Sequence, residues 1–488
     1  MSFEFSKNKS SKQLWSFFYD FTQTPRPSKF EGKISEYLIR YADENHFKYE
    51  LDQVQNILIK VPAKGTLAGS ESILIQNHID MVTDAIEGKA INFKTDPIEA
   101  YQDGDWVRAR GTTLGADNGI GCAAALALPI VLDNHPPLEL LFTVDEETGL
   151  TGASGLDGSI ISSKKMINLD TEEWGSLYIG CAGGINYEFN GSFSYEPLES
   201  NFDLSLELSL RGFAGGHSGV DVHRFRKNAI KAIGELLSQF SFPFRIISFE
   251  SGKAHNIIPR DAKLKFAIQS SSLEALEELI QKKVEAWNSY VSLEDAEASF
   301  ELNKCGDQAD ALSQANSQRF LDILNLFPNG VFSLVRETIT EDNLPLVGVS
   351  NNLAKIALSE SGFYMLTSVR FFNRSEAYEL EGVLESLGRS FNLKIVKNSE
   401  YPSWEPDFET SILQKAKDIY FEKFKVDPKV KAIHAGLECG ILLDKAPAVL
   451  EAISLGPTIV DAHSPDERVK IDTVDFFWDY LVKLIQGI

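Results

Sequence analysis

The sequence predicts an α/β protein: a first domain of alternating strands and helices, interrupted by an inserted α+β domain of two similar halves and then resumed. Three observations carry this. Over residues 1–186 short apolar runs alternate with helix-spaced segments. Over 187–400 the texture changes to strand-like alternation broken by long Leu/Glu-rich helical patterns. Over 401–488 the helix–strand alternation returns, so the first and last stretches are read as one domain and the middle one as its insert.

Residues 14–21 have helical spacing, and 32–46 form a second helix with apolar Ile34, Leu38, Ile39 and Tyr41. Residues 57–61 and 72–76 read as strands, the latter an apolar run suited to a buried position. An Ala-rich helix over 117–133 follows, then strands over 138–144 and 166–169. In the insert, alternation over 202–210, a helix over 226–239, further strands and a helix over 273–291 predict a β-α-β-β-α unit. A weak echo supports the doubling. Ala262-Lys263-Leu264-Lys265-Phe266-Ala267-Ile268, with Ser270-Ser271-Ser272 before a Leu/Glu helix, resembles Phe363-Tyr364-Met365-Leu366-Thr367-Ser368-Val369 with Asn373-Arg374-Ser375 before another. Each reads as a strand feeding a Ser/Asn-capped helix.

At 488 residues the chain exceeds one hydrophobic core. A hydrophobic content of 43% with 24% charged residues is that of a soluble globular protein. The net charge of −23 argues against nucleic acid as a partner, because phosphate binding needs clustered Lys and Arg. Solvated Glu-rich helix faces such as 274–285 account for much of that charge. No apolar run has the length of a membrane span, so no membrane partner is expected. Met1-Ser2-Phe3-Glu4-Phe5-Ser6-Lys7 lacks the basic-then-apolar pattern of a secretory signal. Cys122, Cys181, Cys305 and Cys439 have no paired spacing, which fits a reducing cytoplasm. Cys122 and Cys439 read as small core residues rather than ligands.

Five short segments hold the parts of a two-metal hydrolytic site: His78-x-Asp80, Gly115-Ala116-Asp117-Asn118-Gly119, Asp145-Glu146-Glu147-x-Gly149, Asn168-Leu169-Asp170 and Asp461-Ala462-His463. His and carboxylate donors suit Zn²⁺ and similar divalent ions without thiols. Three motifs begin where an apolar strand ends: His78 after Ile73-Leu74-Ile75, Glu146 after Leu140-Leu141-Phe142, and Asp170 after Ile167. Open α/β sheets present ligands at the carboxyl ends of their strands. Each segment also has a plainer reading. His78 and His463 could be structural, Asp117 and Asp170 helix caps, and the three adjacent acids Asp145–Glu147 a solvated loop. Those acids repel one another unless cations or solvent compensate them. Adjacent glutamates point in different directions, so one can bind metal while its neighbour holds a water.

Three further segments add polar chemistry. Gly215-Gly216-His217-Ser218-Gly219 is flexible enough to bring His217 to a ligand, or is a plain turn. Ala254-His255-Asn256-Ile257-Ile258 sets Asn256 beside an apolar pair, again compatible with a turn. His434-Ala435-Gly436-Leu437-Glu438-Cys439-Gly440 places Glu438 among small residues, where an acid needs a partner.

Together these strings resemble the co-catalytic zinc aminoacylase/carboxypeptidase family, and more closely its aminoacyl-histidine dipeptidase branch. Gly111-Thr112-Thr113-Leu114-Gly115-Ala116-Asp117-Asn118-Gly119-Ile120-Gly121, Asn168-Leu169-Asp170, Tyr178-Ile179-Gly180-Cys181-Ala182-Gly183-Gly184 and the 434–440 segment carry the closer match. The resemblance implies a di-metal catalytic domain with a central mixed sheet flanked by helices, and a lid domain as the insert. It implies two divalent ions, zinc first with manganese or cobalt as alternatives, on His78, Asp117, Glu147, Asp170 and His463. Asp117 would bridge the ions, with His78 and Asp170 on different ones. Glu146 would be the general base, Asp80 would orient His78, and His217 on the lid would stabilise the oxyanion. Asn256, Arg370, Gly436 and Glu438 would contact substrate, with Arg370 meeting a dipeptide carboxylate. Asn77, Thr83-Asp84 and Phe371-Phe372 depart from the branch's usual residues without removing a ligand or the base.

The implied activity is metal-dependent hydrolysis of dipeptides, Xaa-His or broader, in the cytoplasm, by a monomer or a homodimer. An N-acyl amino acid deacylase on the same scaffold is the alternative. A non-catalytic metal- or peptide-binding protein could dispense with a base, and Glu146 is present.

Overall fold

The structure, a computed structural model, describes residues 8–290, 297–306, 310–339 and 345–488. The segment 1–7 read above for a signal, and Val291 at the end of the expected helix, lie outside these residues. The chain forms two compact units. One comprises Met1–Gly180, Trp404–Ala432 and Leu437–Ile488, the other Cys181–Ser403 and Ile433–Gly436.

An eight-stranded mixed sheet underlies the first unit. Its order is Lys48–Leu51, Ile57–Val61, Leu138–Thr143, Ile73–His78, Lys165–Asn168, Glu451–Ser454, Ser176–Cys181 and Lys429–Ile433. The strand Ile73–His78 runs parallel to both neighbours, and Glu451–Ser454 runs parallel to Lys165–Asn168. Both Ile73–His78 and Leu138–Thr143 are buried along their whole length, which is why they read as continuous apolar runs rather than alternating ones. The helix Ala116–Val131 is buried nearly all round, and its alanines let neighbours approach closely. The helix Lys12–Gln23 packs on it through Phe18, whose ring is 3.1 Å from the position a Cβ at Gly119 would occupy. The helix Ile471–Gly487 buries Phe477, Trp478, Leu481 and Leu484 and packs against Ser411–Phe424. A second sheet, Ile459–Val460, Arg468–Lys470, Trp106–Ala109 and Ala100–Asp103, brackets the loop that carries His463.

The second unit is built on one nine-stranded sheet of two similar halves. The first half runs Leu204–Arg211, helix Ala229–Leu237, Phe244–Ser251, Ala262–Ile268, helix Leu273–Tyr290, Ser299–Lys304. The second runs Gly183–Gly191, helix Gln314–Leu326, Pro345–Ser359, Gly362–Phe371, helix Arg374–Ser390, Lys394–Tyr401. In each half the strands lie in the spatial order fourth, first, third, second, and the two second strands join antiparallel, Phe249 opposite Leu358. The remaining strand, Gly330–Ile339, pairs beside Pro345–Ser359. The two echoing heptapeptides are thus equivalent third strands, each leading into its half's second helix. Phe189, Phe249, Phe266, Phe320 and Phe327 belong to the core beneath.

Two boundaries shift from the sequence reading. The helix expected from Arg226 begins at Ala229, because the Asn228 side chain accepts from the Ile230 N–H (2.9 Å) and caps it there. The second unit extends beyond 187–400 at both ends and adds Ile433–Gly436, since Gly183–Gly191 and Lys394–Tyr401 pair with each other.

Candidate active site

His78 is the last residue of its strand and lies in register with Thr143, while Gln76 lies opposite Asn168. The chain therefore leaves three adjacent parallel strands at one level, and His78, Glu146–Glu147 and Asp170 emerge side by side. Asp117 enters from the first turn of the helix Ala116–Val131, where Asp117 and Asn118 have non-helical backbone angles and Gly115 is left-handed. His463, also left-handed, arrives from the loop between Ile459–Val460 and Arg468–Lys470.

The other four expected ligands gather about the two oxygens of Asp117. His78 Nε2 lies 3.0 Å from Asp117 Oδ1 and 3.3 Å from Asp170 Oδ1. His463 Nε2 lies 3.0 Å from Asp117 Oδ2 and 3.0 Å from Glu147 Oε2. The grouping corrects one expectation: His78 stands with Asp170, not opposite it. All three strand ends are adjacent; Asp170, two residues past the strand end opposite Gln76, reaches His78, while Glu147 meets His463 at the other oxygen of Asp117.

Asp80 has four neighbours that explain its burial. Oδ1 accepts from the Glu146 N–H (3.0 Å) and faces His78 Nδ1 (3.4 Å), and Oδ2 accepts from Ser28 Oγ (2.7 Å) and the Glu147 N–H (3.3 Å). Burial disfavours its charge, but His78 and these donors outweigh that and hold its pKa down to about 2. Asp80 thus holds the turn bearing the two glutamates and faces the imidazole.

The donor set fits a divalent cation. His78, Asp117 and Glu147 offer ligand atoms within 4.8 Å of one another. Glu147 Oε1 is buried without a hydrogen-bond partner among the described residues. Protein groups alone leave the cluster with surplus negative charge. Burial, then neighbouring carboxylates, push Asp170 up to about 6 and Glu172 to about 8. Burial likewise raises Glu146 well above the usual carboxylate range, helped by Asp170, Glu438 and Glu147 and opposed by His78. Hydrogen bonds to Asp117 and Glu147 raise His463 to about 11. Such a cluster is what a cation would neutralise.

Glu438, at the start of the helix Glu438–Lys445, is enclosed. Its Oε2 accepts from Gln76 Nε2 (2.6 Å) and Thr143 Oγ1 (2.9 Å). Gln76 accepts from Asn168 Nδ2 (2.5 Å), and Asn168 accepts from Ser454 Oγ (2.5 Å) and the Asp170 N–H (3.1 Å). This buried polar row crosses four strands beneath the ligands. Sequence reasoning missed it; the available signal was Gln76, a polar residue closing an otherwise apolar run. It also missed Asn118, whose side chain donates to Leu169 O (3.0 Å) and to Asp170.

The other named residues belong to the second unit. His217 pairs as an isolated bridge with Ile257, so the His217 turn lies against the Asn256 segment, and Ser218 N–H donates to Asn256 O (2.8 Å). His217 Nδ1 accepts from the N–H groups of Gly219 and Val220, both at 3.2 Å. In the neutral ring the proton is therefore on Nε2. Burial and the charge of Arg370 lower its pKa to about 4, so the ring is neutral near pH 7. His217 and Asn256 line a cavity of 690 Å³ with Ile257, Arg260 and Lys263. Arg370 is buried and donates to Tyr401 Oη (3.0 Å). A Cβ at Gly436 would fall 2.8 Å from the Tyr401 ring, so Arg370 and Gly436 share Tyr401, a residue the sequence did not single out.

Residues 74–487 match the family described as peptidase family M20/M25/M40. The chain is 34% identical over 485 residues to the cytosol non-specific dipeptidase of Escherichia coli (strain K12), covering 98% of each. It superimposes on the crystal structure of aminoacylhistidine dipeptidase from Vibrio alginolyticus with a TM-score of 0.90 at 35% identity, covering 99% of this chain and 98% of that one. Aminopeptidase PepT from Bacillus cereus shares the fold at a TM-score of 0.55 and 14% identity, with 98% of each chain covered. No helix among the described residues is long and apolar enough to cross a membrane. With the profile spanning most of the sequence and a relative matched almost end to end, this chain belongs to peptidase family M20/M25/M40.

Proposed function

We propose that the protein is a metal-dependent dipeptidase, acting on Xaa-His or a broader range of dipeptides. The observation that carries this is the division of ligands between the two oxygens of Asp117, His78 with Asp170 on one and His463 with Glu147 on the other. These residues would hold two divalent ions, with zinc the first choice and manganese or cobalt compatible with the same donors. When bound, such ions supply Lewis acidity, which acidifies a water and polarises a peptide carbonyl.

Glu146 takes the proton of the attacking water and passes it to the leaving amine. Asp80 keeps the His78 ring oriented through Nδ1. Groups of the second unit have the chemistry for the remaining roles. His217 offers a neutral Nε2–H to a developing oxyanion. Arg370, steadied by Tyr401, offers a guanidinium to the dipeptide carboxylate. Asn256 and Gly436 complete the substrate contacts. Glu438, expected to contact substrate, is instead buried with its Oε2 bonded to Gln76 and Thr143, and we assign it to supporting the strand end that carries His78. The name of the Escherichia coli relative supports a cytoplasmic location.

The test is a substrate panel on zinc-reconstituted protein: Xaa-His dipeptides, other dipeptides, N-acetyl amino acids and a tripeptide, each with a chelator control. Dipeptide cleavage abolished by chelator and restored by zinc is expected. Preference for N-acetyl amino acids would replace this reading with a deacylase.

A further inference from the structure

Asp117 and His463 are 346 residues apart in the chain, yet His463 Nε2 must sit at a fixed distance from one Asp117 oxygen. A short helix-opening turn and an exposed loop do not hold such a distance by themselves. Glu467, four residues beyond His463, is almost fully buried. Its Oε2 accepts from the N–H groups of Leu114 (2.7 Å) and Gly115 (2.9 Å), and its Oε1 from those of Ala116 (2.7 Å) and Asp117 (3.3 Å). These donors open the helix Ala116–Val131, and the N-cap residue, Gly115, has no side chain to satisfy them. One distant carboxylate does so instead, where the helix dipole favours an anion. Both oxygens are occupied by backbone N–H groups, so Glu467 is not a cation ligand in this arrangement.

Arg26 clamps the same turn from the other side. It is buried and donates to Ile79 O (3.0 Å), Asp80 O (2.6 Å) and Gly115 O. A Cβ at Gly115 would lie 2.6 Å from the Arg26 guanidinium, and Gly115 has φ of +70°, so only glycine admits this approach. The segment that carries His78 is thereby tied to the Asp117 turn, as the His463 loop is on the opposite side.

We infer that Glu467 and Arg26 are positioning residues that lock the His463 loop and the His78 strand end, respectively, onto the Asp117 turn through backbone hydrogen bonds. The inference rests on the two-ion reading above. Each clamp would serve a different ion: Glu467 the one that Asp117, Glu147 and His463 would hold, and Arg26 the one that Asp117, His78 and Asp170 would hold. Glu467→Gln keeps the size but replaces one acceptor oxygen by a donor facing N–H groups. Arg26→Lys keeps the charge but cannot reach three carbonyls.

The test is Co²⁺ and Zn²⁺ binding to the full-length protein, by isothermal titration with chelator competition and by the Co²⁺ absorption spectrum. Wild type should bind two ions. Glu467→Gln should keep one near the wild-type affinity and weaken the other about 10–100-fold. Arg26→Lys should weaken one ion by a similar factor, with a Co²⁺ spectrum for the surviving ion that differs from that of Glu467→Gln. Asn228→Ala, which removes a helix cap in the other unit, controls for simple destabilisation and should leave both affinities unchanged. Two wild-type-like affinities in both clamp variants would overturn the inference, as would equal weakening of both ions in each. If Glu467→Gln does not fold, Arg26→Lys decides alone on the same readout. A wild type that binds fewer than two ions would instead refute the two-ion reading.

Discussion

Replacing Asp80 by Asn isolates what one buried carboxylate does for the candidate site. Its four neighbours are Ser28 Oγ, the N–H groups of Glu146 and Glu147, and His78 Nδ1, two at each oxygen. An asparagine keeps one acceptor oxygen and turns the other into a donor, so either orientation strands one pair. Only the Glu146 N–H bonds to Oδ1, and a hydrogen bond to a charged acceptor contributes about 1.5–3 kcal/mol, so the cheaper orientation loses about 1.5–3 kcal/mol of folding stability. His78 also loses the partner that fixes its ring, which should weaken cation binding about 10–100-fold. Urea unfolding of metal-stripped protein measures the first effect, and chelator competition the second. Unchanged stability together with unchanged affinity would refute the reasoning. A stability loss with full affinity would show that Asp80 holds the Glu146–Glu147 turn but does not orient His78.

Other consequences follow from the same geometry. Glu146→Gln should lower kcat by about 10²–10⁴-fold while metal content stays at the wild-type level, as steady-state kinetics and elemental analysis would show. Gly436→Ala sets a methyl 2.8 Å from the Tyr401 ring, and since Tyr401 holds Arg370 the expected signature is a raised KM for free dipeptides with a smaller change in kcat. His434, buried with Nε2 2.8 Å from Ser350 Oγ, has its pKa lowered by burial from 6.5 to about 3. A neutral buried imidazole of this kind adds stability that is complete above the unfolded pKa and is lost as pH falls from 6.5 towards 3. Between pH 7 and pH 5 wild type should therefore lose about 2 kcal/mol more than His434→Gln in denaturant unfolding. Parallel losses in the two proteins would remove His434 as the source.

The strand ends were legible because burial on both faces leaves an apolar run that stops abruptly at a polar residue, as Ile73-Leu74-Ile75 stops at Gln76. The doubled insert was legible at one place, the third strand of each half, because strand and helix cap fall in the same order in both. What escaped was whatever acts through the backbone. Glu467 bonds to four N–H groups some 350 residues away, and main-chain partners leave no trace in residue identity. Tyr401 likewise gains its place only once strand pairing sets it beside Gly184 and Arg370. The grouping of His78 with Asp170 needed strand register, which motif spacing does not contain.

The central claim is that Asp117 stands between two cations. Its most direct test is an anomalous difference map from a crystal of zinc-loaded protein, recorded at the zinc edge. Two peaks are predicted, one beside Asp117 Oδ1 with His78 and Asp170, the other beside Oδ2 with His463 and Glu147. A single peak, or density at the neighbouring Glu31–Asp80–Asp145 carboxylates instead, would contradict it.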